Sequence, residues 1–395
     1  MDEFREVVIA GATRTPVGAF QGSLSSIPAP RLGAQVIREA LARARVPGDA
    51  VDEVIMGNVL TAGLGQAPAR QAAIYSGLSH KVECLTINKM CGSGLKAVML
   101  AVQAIQTADS DVIVAGGMEN MTRAPYLLPG ARSGFRLGHG EVQDSAILDG
   151  LWDVYNDKHM GSCAESCARK YHFTRKEQDA YARESYERAL KAQKDGSFER
   201  EITGVEIRDG KGKVNIVSED DEPNRSDFGK MERLKPAFEE GGTVTAANAS
   251  KINDGAAAMV VLAREKAEEL GIALMGRIVA QASVAQEPEW FTTAPVGAIR
   301  KVLKKAGLDL SDIDLFEINE AFALVAMAAL EELNLEADRV NIHGGAVALG
   351  HPIGASGARI LVTLLHAMES RDVHRGVAAI CIGGGEASAV IVERS

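Results

Sequence analysis

The feature that most constrains this 395-residue chain is that its two ends repeat each other. Leu32 to Asn58 reads as an amphipathic helix, a turn and the strand Val54-Ile55-Met56, closing on Gly57-Asn58. Pro295 to Asn319 repeats the pattern with the strand Leu315-Phe316-Glu317-Ile318, at an offset of 261 (319 − 58). Further on, Gly92-Ser93-Gly94-Leu95-Lys96 opens an apolar helix that leads to the strand Val112-Ile113-Val114-Ala115 and to Gly116-Gly117. Ala355-Ser356-Gly357-Ala358-Arg359 opens another, leading to Ala378-Ala379-Ile380-Cys381 and Gly383-Gly384. Those offsets are 263 (357 − 94) and 267 (383 − 116). Three similar offsets in one order predict a duplicated fold.

Each half alternates short apolar strands with helical stretches. That pattern predicts an α/β layered core whose strands are covered on both faces. Between the halves, 119–245 is more polar and carries a helix with Ala182, Tyr186, Ala189 and Leu190 on one face. It reads either as an inserted lid or loop domain or as surface decoration. The forty glycines against twelve prolines suggest many tight turns or close backbone approaches.

A net charge of −10 argues against a nucleic-acid partner, whose phosphates need a basic surface. It leaves room for a phosphorylated small molecule held by a local basic patch. No apolar run is long enough to cross a membrane. The first residues carry no secretory or transit pattern, and Glu393-Arg394-Ser395 is no peroxisomal address, so a cytoplasmic protein is expected. Five cysteines without C-x-x-C fit a reducing compartment and no zinc ribbon. Cys163 and Cys167 share a helix face, but no histidine stands at ligand spacing, so no metal is expected.

Cys91 precedes Gly-Ser-Gly and a helix start. Free backbone N–H groups and the helix dipole there would favour the thiolate, the nucleophilic form. Read alone, such a cysteine is more often structural. His351 lies in a glycine-rich loop, pushed out of helical geometry by Pro352. If the halves pack with pseudo-twofold symmetry, it meets Cys91 and can take its proton. Cys381 ends an apolar strand before Gly383-Gly384-Gly385; alone it reads as a core thiol, beside the other two as a second acid/base group. Asn319 ends another strand, where side chains of α/β sheets line crevices. The chain has no G-x-S-x-G elbow, no Walker A loop and no dinucleotide G-x-G-x-x-G, which leaves hydrolase, NTPase and nicotinamide chemistry unsupported.

Seven ordered stretches together resemble the thiolase family over almost the whole chain. They are Asn88 to Gly94, Gly116 to Asn120, Thr243 to Ser250, Asn253 to Ala256, Asn319 to Phe322, Gly344 to Gly357 and Cys381 to Gly385. The resemblance implies a layered αβαβα duplicated fold with an N-terminal half (1–118), an inserted coenzyme A-binding loop domain (119–245), a return to the first half (246–275) and a C-terminal half (276–395). It implies that Cys91 carries an acyl group, that His351 activates it, and that Cys381 exchanges a proton with the α-carbon of acetyl-CoA. His351 and a water held by Asn319 would stabilise the enolate; the N–H groups of Cys91 and Gly383 would hold the tetrahedral oxyanion. Ser250 matches a pantetheine contact, and Arg225, across an alignment gap, a residue beside the adenine. His159 and Met160 match a pair near the acyl group in short-chain biosynthetic thiolases; Leu151, Phe238, Ala246, Ala321 and Phe322 are implied as further substrate contacts.

Several segments are similar to the acetoacetyl-CoA thiolases in particular. That implies acetyl-CoA C-acetyltransferase activity, with acyl-CoA and CoA as partners, no required cofactor, and a homotetramer or dimer. Some of that subgroup carry Phe-Pro before Ala-Pro and respond to potassium. This chain has Phe291-Thr292-Thr293-Ala294-Pro295, which puts a potassium response in doubt. Lys251, where a small residue is usual, and Glu386 are further departures.

Overall fold

The computed structural model describes residues 4–394 apart from Asp209 and Lys211. The extreme residues on which the reading of targeting signals falls, Met1 to Glu3 and Ser395, lie outside the described residues. The main sheet is built from β1 (Val7–Arg14), β2 (Glu53–Gly57), β3 (Glu83–Ile87), β4 (Val112–Asn120), β5 (Asn253–Ala263), β6 (Gly276–Ala285), β7 (Leu315–Ile318), β8 (Arg375–Ile382) and β9 (Glu386–Glu393). The helices that matter for the site are α1 (Ala29–Ala44), α2 (Ser93–Gln106), α3 (Met160–Tyr171), α4 (Arg175–Asp195), α5 (Ala294–Ala306), α6 (Ala323–Leu333) and α7 (Ile353–Arg371).

Strand pairing bears out the duplication. The order is β7-β8-β9-β6-β1-β5-β4-β2-β3, with the short strand Gly18–Ala19 also paired to β5. From β1 outward, β1, β5 and β4 pair antiparallel, then β4 and β2 pair parallel. From β6 outward, β6, β9 and β8 pair antiparallel, then β8 and β7 pair parallel. The halves join where β1 meets β6 at only two registers, Val8 with Arg277 and Ile9 with Gly276. At the far end, the place of β3 is taken by a lone parallel bridge between Phe316 and Val340.

Apart from the partly exposed edge strand β3, the strands are largely apolar on both faces, and alternate side chains serve different cores. Val7 and Ile9 of β1 join α2 and α7 in a central core that also takes Ile380 and Val392 from the second half. Val8 and Ala10 turn the other way, against α1 and the helix Pro68–Ser76. On the opposite side, Val377 and Ile391 pack against α5 and α6. The result is five layers: outer helices, half-sheet, α2 with α7, half-sheet, outer helices. Two glycines let the central helices touch: a Cβ on Gly94 would lie 2.7 Å from the Ala358 nitrogen, and one on Gly357 would lie 2.4 Å from the Leu95 nitrogen. These are the positions that the sequence repeat pairs at an offset of 263 (357 − 94).

The insertion leaves β4 after Asn120 and returns at Asn253, so Glu119 and Asn120 are strand residues and 246–252 still belong to the loop. It consists of α3, α4 and two-stranded ribbons, such as Trp152–Asp153 with Lys158–His159. Buried ion pairs anchor it. Arg14 at the end of β1 binds Asp220 through both terminal nitrogens (2.6 and 2.9 Å) and Glu201 through Nε (2.6 Å). Within it, the Glu165 carboxylate of α3 accepts from Thr243 N (2.6 Å), Thr243 Oγ1 (2.9 Å) and Val244 N (2.7 Å). That contact joins α3 to the stretch Thr243 to Ser250. Among the described residues, no helix is long and apolar enough to cross a membrane, and no His/Cys/Asp/Glu cluster can hold a metal.

Candidate active site

Cys91 stands in the turn between β3 and α2. Met90 before it is held at φ 46°, a left-handed conformation that costs a non-glycine residue of order 1 kcal/mol or more and clusters at functional turns. The turn is locked by Ser93, whose hydroxyl donates to Met90 O (2.6 Å) and accepts from Lys89 N (2.8 Å). This local bonding overturns the expectation of a ready thiolate. The Gly92 and Ser93 N–H groups are already spent on the carbonyls of Lys89 and Met90, each at 3.0 Å. Among the described residues, the N–H groups that bond the sulfur are those of Cys91 itself and Gly383. Although Cys91 keeps some exposed surface, burial of its sulfur dominates, aided by the Glu119 carboxylate, and pushes the thiol up to about 11.

His351 follows Gly350, whose φ of 107° and missing Cβ bring the loop within reach of Asn253; a Cβ would lie 2.5 Å from that side chain. Asn253 Oδ1 accepts from His351 N at 2.9 Å. The ring is oriented by Ser356, whose hydroxyl donates to Pro352 O (2.9 Å) and sits 2.6 Å from Nδ1. With its own proton committed to Pro352, Ser356 accepts from Nδ1–H. Nε2 is therefore the bare nitrogen, and it is buried without a protein partner. Burial and the nearby Arg359 charge hold the imidazole down at about 3. Cys91 and His351 thus share a cavity wall as a neutral thiol and a neutral imidazole, with no hydrogen bond between them at rest. The thiolate ultraviolet band, read as the difference from Cys91→Ser, should be absent at neutral pH and grow only towards pH 11. A band at neutral pH would reveal an ion pair instead.

Asn319 and Asn58 occupy equivalent ends of β7 and β2, and their surroundings differ. Asn58 Nδ2 is used, donating to Glu119 Oε1 (2.7 Å) and Met118 O (3.2 Å). Asn319 is fully buried, Oδ1 accepts from Arg359 at 3.4 Å, and Nδ2 has no protein partner. A buried amide donor left over in one half only is suited to hold a water or a developing negative oxygen. Cys381 at the end of β8 is fully buried among Met160, Phe291, Ala321 and Phe322. Burial raises its thiol well above the usual range, and the charge of Cys91 adds to this, so the two sulfurs feel each other.

A cavity of about 300 Å³ brings most of these groups together. Cys91, His351 and Gly383 line it beside Ser250, Leu151, His159, Met160, Phe238, Ala246, Ala321 and Phe322. Cys381 and Asn319 are not in its wall: Cys381 packs behind it on Met160, Phe291, Ala321 and Phe322, and Asn319 is tied to it through its carbonyl, which accepts from Ala321 N (3.1 Å). His159 caps α3, with Nδ1 accepting from Gly161 N (3.0 Å), and stacks on Phe238 with ring centres 4.7 Å apart. Gly161 makes room for that ring, since a Cβ there would lie 2.2 Å from it. Arg225 is not brought to the cavity: it is half-exposed on a turn, 4.0 Å from Asp221.

The family model for the thiolase N-terminal domain matches residues 7–265, and that for the thiolase C-terminal domain matches 272–394. The chain belongs to the thiolase family. It is an acyltransferase of that family, and its fold agrees with solved relatives. The crystal structure of the Bacillus anthracis acetyl-CoA acetyltransferase superimposes with TM-score 0.97 at 40% identity, covering all of both chains. The Acat5 thiolase from Ascaris suum, solved in complex with coenzyme A, gives 0.94 at 45% identity over 99% of this chain and 100% of that one. Acetyl-CoA acetyltransferase 1 of Arabidopsis thaliana is 54% identical over 98% of this chain and 94% of its own length. The acetyl-CoA acetyltransferase of Pseudomonas aeruginosa is 52% identical over 99% and 100%.

Several supports of the thiolase site escaped sequence reasoning. Glu119 is buried and accepts from Asn58 Nδ2, Val59 N (3.0 Å), Leu60 N (3.2 Å) and Gly354 N (2.9 Å), stitching the first half to the start of α7. Burial raises its carboxyl to about 7. Ser356, which fixes the His351 tautomer, stood inside a recognised stretch but carried no signal of that role. Glu386, noted as a departure, forms an ion pair with Lys89, three positions from the turn's Gly92.

Proposed function

We propose that this thiolase is an acetyl-CoA C-acetyltransferase, reversibly joining two acetyl-CoA into acetoacetyl-CoA and CoA through an acetyl-Cys91 intermediate. The observation that carries the reading is the shared cavity. It sets the Cys91 thiol, the bare His351 nitrogen and the Gly383 backbone against a short apolar pocket walled by Met160, Phe238, Phe291 and Phe322. At about 300 Å³ it is at the small end of ligand cavities, which suits a pantetheine arm with a short acyl group. The names of the relatives support the same substrate.

The chemistry follows from the protonation states. Cys91 passes its proton to His351 Nε2 as its sulfur attacks the acetyl carbonyl. The Cys91 and Gly383 N–H groups receive the oxyanion. The C–S bond to CoA breaks, and the leaving thiolate takes the proton from His351. The Cys381 thiol then gives its proton to His351 Nε2, and the resulting thiolate accepts an α-proton from a second acetyl-CoA. The enolate oxygen is met by the protonated His351 Nε2 and by a water on Asn319, and the α-carbon attacks acetyl-Cys91, forming the new C–C bond and releasing the Cys91 sulfur, which takes back the His351 proton. Thiolysis runs the same steps backwards. No cofactor is needed, because the thioester itself supplies the activated acyl group. Ser250 is assigned to the pantetheine, and Arg225, outside the cavity, to the nucleotide end of CoA.

Thiolysis rates of C4 and of C8–C16 3-oxoacyl-CoAs test the reading. A marked preference for C4 is expected; a preference for long chains would favour the alternative of a degradative 3-ketoacyl-CoA thiolase. Absence of turnover with every chain length would favour a non-catalytic scaffold. Self-association as a tetramer or dimer is supported by apolar side chains exposed between 126 and 142, among them Tyr126 and Leu137. A cytoplasmic setting is supported by five unpaired cysteines. Light scattering and cell fractionation check these two.

A further inference from the structure

Lys251, noted above as a departure, is half-buried in the wall of the acyl cavity. Its ammonium meets three oxygens and lies 4.8 Å from the centre of the Tyr186 ring. It donates to the phenol of Tyr186 on α4, to Val347 O (2.9 Å) and to Ala249 O (3.3 Å). Two carboxylates, Glu222 and Glu320, add negative potential, while burial brings the amine down to about 8. Backbone carbonyls and a phenol, gathered without a nitrogen acceptor, form the ligand set that a potassium or ammonium ion takes.

The cage spans two loops that the chemistry uses. Ala249 precedes Ser250, in the cavity wall. Val347 lies in the short helix Ala346–Leu349 that runs into Gly350 and His351. Val347 N is also held, donating to Glu320 Oε2 at 3.1 Å. The Glu222 carboxylate accepts from Asn253 Nδ2 (3.4 Å), whose Oδ1 holds the backbone of His351.

We propose that Lys251 is a positioning residue whose ammonium acts as a tethered monovalent cation. It ties the Ser250 loop to the His351 loop and makes the enzyme independent of added potassium. The proposal rests on the reading of this cavity as the acyl-CoA site.

The test compares acetoacetyl-CoA thiolysis in potassium, ammonium and choline chloride at equal ionic strength. The wild type is expected to run at the same rate in all three. Lys251→Gly in choline should lose about ten- to a hundredfold, the scale of lost support around a bound cation, with KM rising more than kcat falls. Potassium or ammonium should restore most of that loss. A wild type activated by potassium, a variant unimpaired in choline, or a folded variant that no cation rescues would each overturn the proposal. Should glycine prevent folding, Lys251→Met keeps the buried stem and removes only the charge; full activity of that variant would overturn it, and loss with an unchanged melting temperature would support it. Acetylation of wild-type Cys91, followed by mass spectrometry in the same samples, separates the failures. An unlabelled Cys91 fails the reading of the site, whereas a labelled Cys91 with no predicted cation response in the variant fails the cage.

Discussion

Replacing Cys381 by serine is expected to leave acetyl exchange between CoA and Cys91 within a few-fold of the wild type. Carbon–carbon bond formation should slow by about a hundred- to ten-thousand-fold, the usual loss when a positioned acid/base group is removed. The two effects separate because the sulfurs hold separate places. Cys91 lines the cavity, receiving the Gly383 N–H. Cys381 is fully buried behind it, in the apolar cluster with Met160 and Phe322. A serine hydroxyl fits that space but is far too weak an acid and base to trade a proton with an α-carbon. Radiolabelled CoA exchange and acetoacetyl-CoA formation, measured on one preparation, give the comparison. Equal loss of both would refute the division of labour.

His351→Asn should remove both activities. Acyl transfer loses the base that takes the Cys91 proton, and condensation loses a donor to the enolate oxygen. A single oxyanion donor is worth about 10²–10³ and a general base about 10²–10⁴ in rate, so losses of at least a hundredfold are expected in each step. The dependence on His351 is strong because nothing else makes Cys91 a nucleophile. With its thiol pushed up to about 11, only a minute fraction is thiolate at neutral pH. Exchange surviving within tenfold in the variant, with the fold intact by thermal unfolding, would show that Cys91 ionises without His351.

What could be read in the sequence was what survives duplication. Gly94 and Gly357 sit at equal places in the two halves because each must let the same pair of helices touch. That regularity delivered the duplication, the strands covered on both faces and the arrival of Cys91 and His351 at one cavity, whereas the strand order was not readable. Properties created by contacts between distant segments were not readable. The helix start promised a thiolate, but the Gly92 and Ser93 N–H groups serve the turn. The His351 tautomer depends on the Ser356 hydroxyl bonding Pro352, which spacing alone cannot reveal. The asymmetry of Asn58 and Asn319 appears only when their partners are compared. Lys251 was visible as an oddity, while its oxygens come from residues as far away in sequence as Tyr186 and Val347. Arg225, carried over across a gap, lands outside the cavity wall.

Every step of the proposed chemistry passes through Cys91. Incubating the protein with acetyl-CoA, digesting it under acidic conditions and sequencing the peptides by mass spectrometry should find an acetyl group on Cys91. It should be absent from Cys91→Ser and discharged by added CoA. Acetylation at another residue, or none while acetoacetyl-CoA is still formed, would contradict the account.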